Sequence, residues 1–357
     1  MKLTGIEAAR GIAAAMVVFY HAANHMRLNI GYLPLGGVAH FGHAGVDFFF
    51  VLSGFIIFFV HGKDIGIKSK LSHYAQRRFT RIYPLYWFVI LLTLVLEMAF
   101  GKGNHPDLKF VLQSISLFPT ISDPYIGVAW TLQHEFIFYF MFAIVIVHAR
   151  IGLLIFLLWF LIIIANWYSG FMMDDGALAK KLTSPFSIEF FFGMFAAWLT
   201  LNHVNTFRNK QLPLESLLKL KEDLNIFLII GVILFIGFGI AENLNLFDGF
   251  ASNGRLAYGL SSILIVLGLA RKNKKDHWIT TKIASTLGSA SFSIYLTHLI
   301  FIGIVYKILE ITGIFTELPV WFIYLLLSAS GICGGILISR LIEYPMIAFV
   351  RNNIFIR

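Results

Sequence analysis

An apolar run of bilayer-spanning length recurs ten times along this chain, over 8–26, 44–61, 82–100, 130–147, 151–168, 185–202, 224–241, 254–270, 287–309 and 320–341. A transmembrane helix needs roughly 20 mostly apolar residues. The stretches between the runs, of which 62–81, 101–129 and 203–223 are the longest, leave no room for a soluble domain. Composition points the same way. Only 13% of residues are charged and 58% are hydrophobic, whereas a soluble domain carries about 25% charge. The expected fold is an all-α polytopic membrane protein of about ten transmembrane helices. No internal repeat or low-complexity tract interrupts it.

The net charge of +9 does not mark a nucleic-acid binder, because the basic residues lie between apolar runs rather than on one soluble face. With the N-terminus placed inside, 21 of the 28 Lys and Arg fall on the inner side and seven, among them Lys181 and Arg255, on the outer. The positive-inside rule then expects both termini in the cytoplasm. The first run lacks a small-residue cleavage site and is expected to be a retained helix. The single cysteine, Cys333, lies within an apolar run and excludes an intrachain disulfide. The expected organisation is a transmembrane domain over 1–345 and a short basic cytoplasmic tail over 346–357.

Polar residues inside apolar runs are costly in hydrocarbon and face a protein interior or a wet cavity. The candidates are Arg10, His21, Asp47, Glu97, His134, Glu135, Glu189 and His298. Arg10 and His21 are eleven residues apart on one helix. At about 100° per residue they share a face, about 16 Å apart along the axis. Spacing alone leaves two readings open: a paired site, or an arginine that snorkels to headgroups and a histidine bonded to a neighbouring helix. Asp47 opens the second run, where Ser53 and Gly54 read as a packing notch. Arg77, Arg78 and Arg81 close the following inner loop, and either enforce topology or bind phosphate. Glu135, in the fourth run, needs a partner at its depth. His298 lies at a depth resembling that of His21, which invites a shared cavity. Arg340 and Glu343 read as an inner-face ion pair, with Pro345 as a helix stop. No CxxC, HExxH, G-x-S-x-G or P-loop pattern occurs, so no metal is expected.

Together these motifs resemble the acyltransferase-3 family of bacterial membrane enzymes. Arg10 and His21 are similar to its Arg-x10-His signature, and Asp47 to Phe55 to its GVD-FFVLSGF segment. Arg78 and Arg81 with Pro84 and Trp87 are similar to RxxR-Ile-x-Pro-x-x-Trp. Trp130, Leu132, Glu135, Phe138 and Tyr139 are similar to WSL-x-x-E-x-x-FY, with Thr131 in the serine position. Ser293, Tyr295 and His298 are similar to S-x-Y-L-x-H. The resemblance implies O-acylation, mostly O-acetylation, of a surface polysaccharide, lipopolysaccharide or lipid-linked glycan. It implies acetyl-CoA as donor and the bacterial cytoplasmic (inner) membrane as location. Some relatives carry a fused hydrolase-like soluble domain. With this chain read to Arg357, the acceptor is expected to meet the membrane domain itself.

Acyl transfer to a hydroxyl needs a base, stabilisation of oxyanion charge and grip on the donor. On this reading His21 is the base, and Glu135 and Asp47 orient it or the sugar. Arg10, Arg77, Arg78 and Arg81 hold the CoA phosphates. Trp130, Tyr139 and His298 support the substrate. Direct transfer and an acyl-histidine intermediate both remain open. The competing class is a transporter or flippase whose buried His and Glu carry protons or solute.

Overall fold

The computed structural model of the protein describes residues 3–100, 107–119, 123–170, 176–209, 214–270 and 282–353. Among these no strand occurs. The helices are α1 (Thr4–Ile30), α2 (Gly45–His61), α3 (Leu71–Phe100), α4 (Leu108–Ile115), α5 (Trp130–Val147), α6 (Ala149–Ser169), α7 (Ala177–Leu182), α8 (Phe186–Asn209), α9 (Leu214–Asn243), α10 (Ser252–Leu269), α11 (Lys282–Thr312), α12 (Val320–Ile338) and α13 (Tyr344–Asn353). Among the described residues, nine helical segments are long and apolar enough to cross a membrane. The protein is an all-α polytopic membrane protein. The tenth expected span is α10, which carries Arg255, Ser261 and Ser262 and is not one of the nine. Its 18 residues reach about 27 Å. It packs against α2, α8 and α9, so its polar side chains meet protein rather than lipid.

Small residues set the helix seams, because without a hydrophobic drive in lipid, association depends on close backbone approach. A Cβ at Gly54 of α2 would lie 2.1 Å from the Phe190 carbonyl oxygen, and one at Gly193 of α8 would lie 1.8 Å from that of Val51. The notch expected at Gly54 is thus one half of a reciprocal contact. Gly11 and Gly288 form the equivalent seam between α1 and α11, where a Cβ at Gly288 would lie 2.1 Å from the Glu7 carbonyl oxygen. That seam sets the two helices carrying His21 and His298 side by side.

Four expectations from the sequence need correction. Arg77, Arg78 and Arg81 do not end a loop: α3 begins at Leu71, so they occupy successive turns of one helix. The gap expected at 203–223 is helical on both sides of residues 210–213, which lie outside the described residues. The stretch 101–129, read as a gap on the outer side, is partly helical, with α4 inside it. Its described part folds back along α3, where Tyr83, Tyr86 and Trp87 donate to the carbonyls of Ser116, Ser114 and Ile115 at 2.9, 2.8 and 3.0 Å. Glu97 accepts from the Tyr125 hydroxyl at 2.7 Å there, which satisfies that carboxylate. Pro345 does not stop the helix. A π-helical turn over Ser339–Glu343 precedes it, and this wider turn accommodates a residue that has no N–H and crowds the preceding turn. The expected tail is therefore largely α13.

Candidate active site

A cavity of about 800 Å³ opens among α1, α2, α3, α5, α11 and α13. Five of its lining residues are arginines: Arg10, Arg77, Arg78, Arg81 and Arg351. Among the described residues the one acidic lining residue is Glu135, which accepts a hydrogen bond from the Ser53 hydroxyl. The wall is strongly cationic, and guanidinium forks match phosphate oxygens. Arg78 lies with its guanidinium carbon 5.6 Å from the centre of the Tyr139 ring, and its buried Nε has no partner among the described residues. A buried donor left open in a cavity wall is an invitation to an acceptor. The Ser291 hydroxyl is likewise buried in this wall without a partner among the described residues.

Arg81 differs from its neighbours. Its Nη1 donates to Glu343 Oε1 at 2.7 Å, and its guanidinium sits 4.9 Å from the centre of the Phe292 ring. Glu343 Oε2 accepts from Ser293 at 2.6 Å and from Ser339 at 3.0 Å. The inner-face pair expected between Arg340 and Glu343 is thus made by Arg81 instead. That pairing ties α3 to α11 and to the π-helical turn, and leaves Arg81 only part of its fork.

The structure brings His21 and His298 together, with ring centres 5.0 Å apart. Neither lines the cavity. Its wall there is Phe49 and Tyr295, whose rings are 5.8 Å apart, and Tyr295 in turn lies 6.1 Å from the His298 ring. The Tyr295 hydroxyl bonds to the Val128 carbonyl at 3.1 Å and to Thr131 at 3.0 Å. Thr131 thus supplies a hydroxyl in the position where serine is usual. Arg10 lies in the cavity, and the histidine pair lies just beyond its aromatic end.

Asp47 faces away from this cavity. It is fully buried and accepts from Arg255 Nη1 at 2.7 Å. The same nitrogen lies 3.1 Å from His43 Nδ1, and His43 Nε2 lies 2.8 Å from Glu242 Oε1. Tyr258 donates to Glu242 Oε2 at 2.6 Å. Glu189 is buried against Asp47. Arg255, counted with the outer loops from sequence, is a core residue, and so is Lys181, which donates to Gln133. Side-chain nitrogen or oxygen atoms of His40, His43 and Glu242 lie within 4.8 Å of one another, a spacing compatible with a cation. The hydrogen bonds weigh against one. Arg255 donates to His43 Nδ1, so Nε2 carries the proton, and Nε2 is the atom a metal would need bare. Trp130 and His134 are also outside the cavity, packed on Phe186 at 4.9 and 5.6 Å between ring centres.

The sequence model of the acyltransferase-3 family, an acyltransferase domain, matches residues 3–340. The chain belongs to this family. It is a membrane acyltransferase. It is similar to the "Exopolysaccharide production protein ExoZ" of Rhizobium meliloti (strain 1021), at 29% identity over 86% of this chain and 90% of the relative. It is also similar to "Acyltransferase MdmB" of Streptomyces mycarofaciens, at 29% identity over 40% of this chain and 38% of that protein. A third relative, "Putative acetyltransferase ORF330" of Acidianus two-tailed virus, is 28% identical over 35% of this chain and 36% of its own. No solved structure matches.

Against the family's motifs, the structure gathers Arg10, Arg77, Arg78, Arg81, Glu135 and Tyr139 into one cavity. It sets His21 and His298 behind it and places Asp47 in a separate polar network. Sequence reading missed Arg351, which reaches the cavity from α13, because a basic residue near a terminus reads as tail. It also missed the role of Arg255, because nothing in the local pattern says which of two helix faces is buried. Arg78→Ala is expected to weaken CoA binding by about 10- to 100-fold, the loss of one charge-assisted contact. Arg78→Lys should restore it only in part, since the fork is lost. Calorimetry of CoA binding in detergent decides this, and unchanged affinity in a folded Arg78→Ala protein would assign the cluster to topology alone.

Proposed function

We propose that this protein transfers an acetyl group from acetyl-CoA to a hydroxyl of a surface polysaccharide, lipopolysaccharide or lipid-linked glycan at the bacterial cytoplasmic membrane, with His21 as base. The observation that carries this reading is the arginine-lined cavity that ends at Phe49 and Tyr295, one aromatic layer short of the histidine pair. Arg10, Arg77, Arg78 and Arg351 take the CoA phosphates, and the pantetheine arm runs past Ser291 toward Phe49 and Tyr295. The distance from Arg10 to His21, about 16 Å along α1, is of the order of that arm. His21 removes the acceptor hydroxyl's proton as the oxygen attacks the thioester carbonyl. The carbon–sulfur bond then breaks, and the CoA sulfur leaves with the proton. The name of the relative that aligns over most of this chain, an exopolysaccharide production protein, supports a glycan acceptor.

The test is incubation of membranes containing the protein with labelled acetyl-CoA, followed by glycan extraction. Label in the glycan, absent from membranes without the protein, supports the proposal. Label confined to acetate or to another acceptor class rejects it.

Donor binding on the cytoplasmic side requires a fixed orientation. A topology reporter fused at Lys70 should read inside and one at Ile314 outside. The opposite pattern would put the arginine cavity on the wrong side for CoA.

A further inference from the structure

We infer that His298 is the positioning residue for His21 and the transient acceptor of its proton, so that the two histidines form a relay. The inference rests on the reading of His21 as base. His298 is fully buried on α11. Its Nδ1 lies 2.7 Å from the Tyr295 carbonyl oxygen and 3.2 Å from that of Ile294. Carbonyl oxygens only accept, so Nδ1 carries the hydrogen and donates it, and Nε2 presents a bare lone pair. That Nε2 is buried and has no partner among the described residues. A buried acceptor without a donor is costly and points to function or to an ordered water.

The groups around His298 leave few donors for that lone pair. From α1 comes His21, with ring centres 5.0 Å apart at an interplanar angle of 45°. On its own helix, Tyr295 has its hydroxyl committed to Val128 and Thr131. From α12 comes Gly331, where a Cβ would lie 3.2 Å from that of His298. From α2 comes Phe49, through the Tyr295 ring. His25, one turn beyond His21, is turned onto Tyr306 at 4.6 Å between ring centres. His21 is therefore the N–H group placed to serve Nε2 through one bridging water.

The arrangement has a chemical consequence. With its N–H turned toward His298 through that water, His21 would offer its other nitrogen as a lone pair to the acceptor hydroxyl. This is the tautomer-fixing role that a carboxylate plays in hydrolase triads, here filled without placing a fixed negative charge in the membrane. When the hydroxyl proton moves to His21, the proton on its other nitrogen moves to His298 Nε2. His298 is then cationic, with its Nδ1–H held by two carbonyl oxygens. As the carbon–sulfur bond breaks, the proton returns through His21 to the CoA sulfur. Both rings end neutral, and the hydroxyl proton ends on the thiol.

Two substitutions and one spectroscopic measurement test this. His298→Asn keeps a donor for the Tyr295 carbonyl but lacks the Nε2 base. Its acetyl-transfer kcat should fall about 100-fold with the KM for acetyl-CoA unchanged, and the acidic limb of the pH–rate profile should move. His298→Gln, whose amide oxygen approximates the Nε2 acceptor, should recover part of the rate. A folded His298→Asn protein with near-parental kcat and an unmoved pH limb overturns the relay. The second readout needs no substrate: in nitrogen-15 histidine spectra of the protein in lipid nanodiscs, His21→Ala should shift the His298 Nε2 resonance. An unmoved resonance overturns the pairing even if the asparagine variant fails to fold. If the wild-type protein transfers no acetyl group while the resonance does shift, the acyl-transfer reading fails and the histidine pairing stands.

Discussion

Replacing His21 with alanine is expected to lower acetyl transfer by about 10²- to 10⁴-fold, the usual contribution of a positioned base, while CoA binds as before. The separation of the two effects follows from the geometry. The arginines assigned to the donor's phosphates on the proposed reading line the cavity, and His21 does not. On that reading it acts on the reacting end beyond Tyr295, so its loss should remove chemistry and leave the donor's anchoring charges in place. The kinetic signature is a fall in kcat with KM for acetyl-CoA unchanged, and calorimetry of CoA binding to the same variant checks the second half independently. Near-normal transfer would take His21 out of the mechanism. Loss of CoA binding in a folded protein would make it a binding residue instead.

The second large effect concerns Asp47. Asp47→Ala is expected to cost about 3–5 kcal/mol of stability, because it strands the Arg255 guanidinium in a buried site. Asp47 is fully buried and Arg255 nearly so, and their contact joins α2 to α10. Removing both partners, as Asp47→Ala with Arg255→Leu, should recover much of the loss, since the guanidinium is then no longer stranded. Thermal unfolding in detergent measures both. If Asp47→Ala instead keeps its stability and loses only transfer, Asp47 belongs to the chemistry, as its place in a family motif suggests.

The apolar period alone determined an all-α membrane protein, because a backbone in lipid must satisfy its own polar groups and about 20 residues set the span. Helical periodicity also placed Arg10 and His21 on one face of α1, and depth along the helix placed His298 level with His21. These are local quantities, legible within one element. Which carboxylate meets which arginine is not local. Arg255 and Asp47 are 208 residues apart and Arg81 and Glu343 are 262 apart, and each sequence offered a nearer partner or a loop instead. Only the packed helices decided that Asp47 turns from the cavity toward Arg255, that Arg81 is already held by Glu343, and that α13 brings Arg351 to the cavity. They also decided that the cavity stops at Phe49 and Tyr295, one aromatic layer short of the histidine pair. The reason is physical: in hydrocarbon every buried charge must find a partner, and where that partner lies depends on the rotation of each helix about its axis, which small-residue seams such as those at Gly54, Gly193 and Gly288 set only once the helices meet.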